Sequence, residues 1–268
     1  MIQPSFGYLS GFGNEFASEA IAGALPEGRN SPQRAPHDLY TELLSGTAFT
    51  APRAENRRTW LYRCQPCVMS GSYQSYAQPL WISAAAGGQA VPPNPLRWHP
   101  FDIPLEALDF VDGMRTLVAN ADANSQTGMA AHVYVANRSM AQRALVNADG
   151  EMLLVPEQGR IVVTTELGLL NVKPGEVVVV PRGMAFSVAL PEGASRGYVC
   201  ENYGAHFRLP ELGPIGSNGL ANARDFLTPT AAFDAGAARS GGFEIIKKYG
   251  GSLWSAGQPC SPFNVVAW

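Results

Sequence analysis

Two histidines and one glutamate are the residues of this chain whose types could hold a metal ion. His132 lies in a segment with strand-like alternation, and His206 and Glu211 are five positions apart in another β-rich segment. Two histidines and one carboxylate are the usual protein ligands of non-haem iron(II). Pro210 lies between His206 and Glu211, and an offset of five points two strand side chains to opposite faces. A metal enzyme built on these three residues therefore stays an alternative to the simpler interpretation of His132 as a hydrogen-bonded core residue.

The cysteines offer a second possible chemistry. Cys64 and Cys67 form a Cys-x-x-Cys sequence, which occurs in redox pairs and in zinc sites. A zinc site usually needs a second such pair, and Cys200 and Cys260 stand alone elsewhere in the chain. The flanking sequence is strand-like and lacks the strand-to-helix turn of a thioredoxin-type site. We therefore expect buried thiols without disulfides.

The other candidate residues show no catalytic pairing. His37 and His99 each adjoin a proline in loop-like sequence, so we expect surface or hydrogen-bonding roles. No Gly-x-Ser-x-Gly sequence supports a serine hydrolase. The Gly-rich loop 213–219 lacks the Lys-Ser/Thr of a phosphate-binding loop and is expected to be structural. Two acidic pairs lack a recognisable acid/base partner: Glu15 with Glu19, and Asp109 with Asp112.

Composition and charge exclude several classes of partner. Of 268 residues, 46% are hydrophobic, which is ample for a core, and only 15% are charged. The net charge is -3 and there is no run of Lys or Arg, so nucleic acid and acidic membrane surfaces are not expected as partners. The chain shows no secretory leader and no apolar stretch of the roughly 18 residues that a membrane-spanning helix needs. We expect a cytoplasmic protein.

Short apolar runs separated by turn residues predict a mainly β protein with few short helices. The chain has 28 glycines and 21 prolines, and turns are predicted at 149–150, 174–175 and 182–183. Strands this short, joined by such turns, favour antiparallel pairing in a jelly roll or β-sandwich. The predicted strands are 131–136, 152–155, 160–165, 169–172, 177–180, 186–190 and 198–203.

Residues 1–100 differ in composition from residues 101–268. Clusters of Gly, Pro, Asn and Arg separate short aromatic pieces such as 59–62 and 79–82. We expect residues 1–100 to form an extended, irregular arm that wraps on the β core and adds a few strands to it. One helix is predicted at 38–45, with Asp38 as its N-cap and Gly46 as its stop.

The stretch from Lys173 to Phe186 has the turns of a metal-binding motif without its ligand. A Pro-Gly turn, a valine-rich strand and a Pro-Arg-Gly turn follow one another. This order resembles the second half of the cupin motif, in which a histidine three residues after the last glycine points into a small β-barrel. Phe186 occupies that position, and the histidines of the first half are missing upstream of Glu151. Two ordinary β-hairpins would also explain the turns. The cupin interpretation predicts that Phe186 packs the interior of the barrel.

Longer sequence words are spread over the whole chain. They include Tyr8-Leu-Ser-Gly-Phe-Gly-Asn-Glu15 and Ser261-Pro-Phe-Asn-Val-Val-Ala-Trp268. The others lie at 25–28, 44–50, 58–63, 96–101, 203–207 and 212–222. In this order the words resemble the homogentisate 1,2-dioxygenase family, and neither turn chemistry nor composition explains words of this length.

That resemblance implies that residues 1–268 are the N-terminal domain, with a metal-less cupin-like core, of a non-haem iron enzyme. Such an enzyme opens the ring of homogentisate with O2 to give 4-maleylacetoacetate in tyrosine and phenylalanine breakdown. The family holds Fe(II) in a C-terminal domain that follows the equivalent of Trp268. No catalytic, cofactor-binding or metal-binding residue is therefore carried over onto this sequence.

The resemblance also implies a homo-oligomer, a trimer or a hexamer, and a fragment that is inactive without its C-terminal partner. The alternative from another class is a non-catalytic cupin-like module that serves in binding or assembly.

Overall fold

A computed structural model of the chain describes residues 5–11, 16–26, 35–82, 92–95, 97, 99–208, 222–239 and 241–268. Over these ranges the chain is mainly β, as predicted. One short helix, α1 (Ala235–Arg239), and 3-10 turns at Pro36–Asp38, Cys67–Met69 and Ala223–Asp225 accompany the strands. None of the helices in the described ranges has the length and apolar content to cross a membrane.

The strands of the first half of the chain are β1 (Tyr8–Ser10), β2 (Tyr40–Ser45), β3 (Arg58–Arg63), β4 (Gln74–Ser75), β5 (Met114–Asp122), β6 (Thr127–Ala136) and β7 (Arg143–Asn147). Those of the second half are β8 (Glu151–Gln158), β9 (Ile161–Thr165), β10 (Gly168–Val172), β11 (Val178–Val180), β12 (Ala185–Ala189), β13 (Ser195–Asn202), β14 (Leu227–Pro229), β15 (Phe243–Tyr249), β16 (Ser252–Gln258) and β17 (Val265–Ala267).

Two sheets pack face to face as a sandwich. The seven-stranded sheet has the order β10-β9-β12-β7-β15-β16-β4, and the five-stranded sheet has the order β11-β8-β13-β6-β5. All of the strand pairs in these two sheets are antiparallel except β7 with β15, which are parallel. Alternation points every second side chain inward, so the two sheets share one core. That core includes Leu145, Phe186 and Ile246 from one sheet and Met114, Tyr134 and Leu154 from the other.

A three-stranded sheet forms a third layer. Its order is β17-β3-β2, so it joins segments from the two ends of the described chain. It covers the seven-stranded sheet on the side away from the shared core, where Ala185, Ile245 and Ala256 are buried. The seven-stranded sheet is therefore buried on both faces over much of its width.

The predicted strands from 131 to 203 are all present, with ends shifted by a few residues: they correspond to β6 and to β8 through β13. The aromatic piece 59–62 lies in β3, whereas 79–82 forms a turn and an extended segment instead of a strand. Thr116 of β5 donates its backbone N–H to the Leu80 carbonyl, which ties this segment to the sheet edge. Five further strands, β4, β5, β7, β15 and β16, complete the sandwich.

The predicted helix at 38–45 is wrong. Asp38 has a left-handed φ of 54°, which does not fit an N-cap, and Leu39 is extended. Residues 40–45 form β2, which pairs with β3 from Tyr40 opposite Arg63 to Ser45 opposite Arg58. The ladder with a distant strand satisfies the backbone groups that a helix would have satisfied locally, so tertiary pairing overrides the local helix signal.

A bulge at Arg196 and Gly197 lets β13 bend against β8. A Cβ atom at Gly197 would lie 2.4 Å from the Val155 carbonyl oxygen and 2.8 Å from the Tyr134 ring. Both neighbours are fixed by the sheet and the core, so neither can move aside at low cost. Only glycine fits at this position.

We predict that Gly197→Ala lowers the free energy of unfolding by about 1–3 kcal/mol, since the methyl group overpacks the bulge. Gly257→Ala in β16 is the matched control, because nothing lies within 4 Å of the added Cβ. Urea unfolding of the two variants measures the difference. Equal stabilities of the two variants would contradict the prediction.

Candidate functional site

Phe186 fills the interior of the sandwich at the position where the cupin motif carries a histidine. The preceding turn passes through Gly183, whose φ is +82°, and places Ala185 and Phe186 opposite Val146 and Leu145 of β7. The Phe186 side chain is fully buried. Its ring lies edge-on to that of Phe110, with 6.0 Å between the centroids. The motif backbone thus positions an apolar ring, as expected.

A buried cluster of charged and polar side chains links the two sheets elsewhere in the interior. Lys248 on β15 belongs to the seven-stranded sheet, Glu201 on β13 belongs to the five-stranded sheet, and both are fully buried. The Lys248 Nζ atom lies 2.6 Å from Glu201 Oε1. We call this group the inter-sheet cluster; its members are Lys248, Glu201, His132, Tyr203, Asn147 and Asp149.

Four donors surround the Glu201 carboxylate. Besides Lys248, Asn147 Nδ2 lies 2.5 Å from Oε1. The Tyr203 hydroxyl donates to Oε2 at 2.7 Å, and His132 Nε2 lies 3.1 Å from the same oxygen. Burial alone would raise the pKa of Glu201, but Lys248 and His132 outweigh burial and lower this pKa to about 2. Glu201 is therefore ionised at neutral pH.

His132 is a structural core histidine, in agreement with the simpler interpretation of its sequence. An ionised carboxylate only accepts hydrogen bonds, so His132 Nε2 must carry a proton toward Glu201. The other ring nitrogen, Nδ1, lies 2.9 Å from the Thr116 hydroxyl. The ring also packs edge-on against Trp81, with 6.1 Å between the centroids. Both ring nitrogens are therefore engaged, Nε2 by Glu201 and Nδ1 by Thr116.

Asp149 connects the inter-sheet cluster to the hairpin between β15 and β16. Gly250 and Gly251 have φ values of +60° and +77°, as a two-residue hairpin turn with two left-handed positions requires. Their backbone N–H groups donate to the two Asp149 oxygens at 2.7 and 2.9 Å. Lys248 Nζ lies 3.4 Å from Asp149 Oδ2. The turn and the buried lysine are therefore held by one carboxylate.

His206 lies in a different environment from His132. Its Nδ1 atom is 2.6 Å from Glu151 Oε1, and Arg57 Nη1 is 3.1 Å from the same oxygen. The backbone N–H of Phe207 donates to the other Glu151 oxygen at 2.7 Å. Glu151 projects from the outer face of β8, because its neighbour Met152 points into the shared core. This group attaches the segment after β13 to the outside of the sheet.

The metal site considered for His132, His206 and Glu211 is not assembled. His132 faces the interior of the five-stranded sheet and His206 contacts its outer face, while Glu211 lies outside the described residues. The described ranges contain no group of three or more His, Cys, Asp or Glu side chains placed to hold a metal ion. Because Phe186 also occupies the motif position, the described residues do not fit an iron ion.

The cysteines differ in exposure. Cys200 and Cys260 are buried, as predicted, but Cys64 and Cys67 are exposed, so the prediction of four buried thiols is half wrong. The reason is that β3 ends at Arg63 and the chain turns at the surface there. The Cys67 thiol donates to Glu42 at 2.8 Å, and partial burial of the sulfur together with this carboxylate raises the pKa of Cys67 to about 12. It is a poor nucleophile.

Asp109 and Asp112 have a partner that the sequence did not reveal. Arg143 Nη1 lies 2.6 Å from Asp109 and 3.0 Å from Asp112, and the Tyr76 hydroxyl contacts both Asp112 and Arg143. The group ties the segment before β5 to the start of β7. It is a structural ion network.

The remaining candidates have local roles or lie outside the described residues. His37 is exposed, with Nε2 3.3 Å from the Ala22 carbonyl, and His99 is exposed. Glu19 accepts from the backbone of Gly23 and Leu25, and these bonds lower its pKa. Two predicted features fall on residues that the structure does not describe: Glu15 and the loop 213–219.

Two rows on the outer face of the five-stranded sheet are largely apolar, which is unusual where a sheet face meets water. One row across all five strands has no charged side chain: Val179, Leu153, Cys200, Ala131 and Val118. The next row contains Val155, Tyr198 and Val133 and ends at Arg115. Val118 is 53% exposed and Tyr198 is 39% exposed. We call these two rows the outer apolar face; such patches mark interaction surfaces.

Comparison with known protein families gives a match over nearly the whole chain. Residues 7–268 match the family model described as homogentisate 1,2-dioxygenase N-terminal.

Several solved structures match part of the chain. The cupin domain of Cnp3 from Schizosaccharomyces pombe is 20% identical; the match covers 34% of this chain and 64% of that chain, with a TM-score of 0.28. A conserved protein of unknown function from Streptococcus pyogenes is 17% identical, with coverages of 44% and 98% and a TM-score of 0.31. A cupin superfamily protein from Desulfitobacterium hafniense is 14% identical, with coverages of 33% and 74% and a TM-score of 0.27.

We predict that Phe186→His destabilises the chain by about 3 kcal/mol or more without creating a metal site. The change removes core packing and buries an imidazole with no partner arranged for it. Phe186→Leu keeps an apolar side chain and should cost only about 1–2 kcal/mol. Urea unfolding and metal analysis after incubation with iron(II) measure both effects. Stoichiometric iron in the Phe186→His protein would contradict the prediction.

We predict that Lys248→Met costs about 3–5 kcal/mol, because it leaves buried carboxylates without their ammonium partner. Adding Glu201→Gln should recover about 1–3 kcal/mol relative to the sum of the single changes. Lys247 is the neighbouring, half-buried lysine, and Lys247→Met is the matched control. Its free energy of unfolding should stay within about 0.5 kcal/mol of the parent value. If the changes in the free energy of unfolding of the two single variants simply add in the double variant, Lys248 and Glu201 are not coupled.

Proposed function

Because the chain belongs to the homogentisate 1,2-dioxygenase N-terminal family, we propose that it is the part of a ring-opening dioxygenase that carries no iron. The observation that supports this role is the family match over residues 7–268. The buried Phe186 at the motif position agrees with it. The substrate of the complete enzyme would be homogentisate, the second substrate O2, and the product 4-maleylacetoacetate.

In this proposal the iron(II) is bound by a C-terminal part of the enzyme, and the present residues provide a scaffold. The inter-sheet cluster and the apolar core hold the two sheets at a fixed spacing. The outer apolar face then serves as a rigid surface for docking. We propose that it binds the iron-binding part, since exposed apolar rows on a rigid sheet lower the cost of association.

A homo-oligomer, a trimer or hexamer, and a cytoplasmic location complete the proposal. Oligomers of one chain commonly use closed symmetry, and an arm whose strands β2 and β3 already pair outside the sandwich is suited to contact a neighbouring subunit.

A non-catalytic binding or assembly module is the second candidate. The observation that favours it is again the outer apolar face, because a docking surface serves assembly whether or not catalysis follows. The two candidates differ in one respect. Only the first requires that an iron-binding part restores ring opening.

We predict that this chain alone does not consume homogentisate and that mixing it with the iron-binding C-terminal part of a family member restores O2 consumption. An oxygen electrode and the absorbance of the ring-opened product measure the activity. Robust activity of the chain alone would contradict the proposal, and a mixture that binds but stays inactive would favour the assembly module.

The docking surface is tested in the same mixture. Val118→Glu places a charge in the outer apolar face and should weaken association by about 10-fold or more, because the carboxylate would be desolvated. Leu105→Glu is the matched control, since Leu105 is fully exposed and lies outside the two rows. Equal affinities of the two variants in calorimetry would place the docking surface elsewhere.

A further inference from the structure

A single hydroxyl holds the end of the segment that runs along the edge of β5. We call residues 79–82 the edge segment. The Thr116 backbone N–H of β5 donates to the Leu80 carbonyl at 2.8 Å. Further along, the Ile82 N–H donates to the Thr116 hydroxyl at 2.8 Å, and the Ile82 carbonyl lies 3.1 Å from the same hydroxyl oxygen. Both backbone groups of Ile82 therefore contact one side-chain atom of β5.

This hydroxyl has three partners and only one proton. The third partner is His132 Nδ1, 2.9 Å from the hydroxyl oxygen. A hydroxyl donates one hydrogen bond and accepts up to two, while a backbone N–H only donates and a carbonyl only accepts. Ile82 therefore occupies one acceptor position and takes the single proton of Thr116. All three contacts are hydrogen bonds only if His132 Nδ1 is itself a donor.

His132 then carries two ring protons, because Nε2 already needs one to face the Glu201 carboxylate at 3.1 Å. The charges around it agree with an imidazolium. Glu201 and Asp149 are both buried, and the Lys248 ammonium lies near both of them but supplies only one positive charge. Tyr203 donates its proton to Glu201 and adds no charge. Since an uncompensated buried charge is costly, a charged His132 balances the second carboxylate.

Trp81 is a second contact between His132 and the edge segment. The indole is buried and packs edge-on against the imidazole, with an interplanar angle of 70°. Within the described part of the chain, Trp81 Nε1 has no hydrogen-bond partner. Trp81 is therefore positioned by packing, which includes the His132 ring. The same histidine thus contacts the edge segment both directly and through Thr116.

We propose that His132 is an imidazolium at neutral pH and that its charge makes the attachment of the edge segment pH-sensitive. When Nδ1 loses its proton in alkaline solution, it becomes an acceptor and competes with the Ile82 carbonyl for the Thr116 proton. The carbonyl loses that competition, because Ile82 is 42% exposed and can turn to water, whereas His132 is fully buried. The edge segment is then held at Ile82 by one hydrogen bond instead of two. This inference does not depend on the dioxygenase proposal.

NMR of the 268-residue chain with ¹⁵N-labelled histidine counts the ring protons directly. At pH 7 each ring nitrogen of His132 should show one-bond coupling to a proton, whereas a neutral imidazole has one bare nitrogen. Signals that disappear in His132→Gln belong to His132, and NOEs to the Trp81 ring assign them if this variant does not fold. A bare ring nitrogen on His132 at pH 7 would overturn the proposal.

Hydrogen exchange at the Ile82 amide tests the pH-sensitive attachment. After correction for the intrinsic effect of pH, exchange should accelerate about 10-fold over the pH range in which NMR shows His132 losing its proton, as expected for the loss of one hydrogen bond. Thr116→Val removes the hydroxyl and should abolish this response. Thr116→Ser keeps the hydroxyl and is the matched control, in which the response persists. Retention of both ring protons until the chain unfolds, a parent chain without the response, or a Thr116→Val protein that retains it would each contradict the proposal.

Discussion

The ion pair between Lys248 and Glu201 is the interaction on which the sandwich depends. Each partner belongs to a different sheet, and both are fully removed from water. Burying two charges costs several kcal/mol per ion, and the cost is offset only when geometry and further hydrogen bonds are good. Tyr203, Asn147 and His132 supply those bonds. The two sheets must therefore pack so that Lys248 and these three further donors all reach the Glu201 carboxylate.

The same pair fixes the register of β15. Alternation points Ile246 and Lys248 inward and leaves Ile245 and Lys247 on the other face. A slip of one residue would turn Lys248 away from Glu201 and leave that carboxylate buried without its ammonium. Because β15 pairs in parallel with β7, no tight turn between these two strands sets their register. The contact between Lys248 and Glu201 sets the register instead, together with Asp149, which binds the hairpin between β15 and β16.

Local signals predicted much of the sandwich and little of the polar interior. The strands from β8 to β13 could be predicted because apolar alternation and Pro-Gly turns occur within a few residues of each other. The helix at 38–45 failed because the partner strand of β2 follows later in the chain. Glu201 and Lys248 are 47 residues apart, and His132 and Glu201 are 69 apart, so no window of sequence contains the cluster. One signal was available in the sequence. Glu201 lies two residues from Val199 and two from Tyr203, so strand alternation places its side chain on the same inward face.

The closure of the three-stranded sheet has a consequence for how the chain is made. Arg63 of β3 pairs with Val265 of β17, so a strand synthesised early acquires its central position only when one synthesised about two hundred residues later emerges. Pairings this far apart in sequence are slow to form, and the apolar surfaces that await them are exposed in the meantime. During translation the nascent chain must keep β2, β3 and the outer side of β7 from unsuitable partners. Because strands from distant parts of the chain share one small sheet, these surfaces stay unpaired until the segment that contains Val265 has been synthesised.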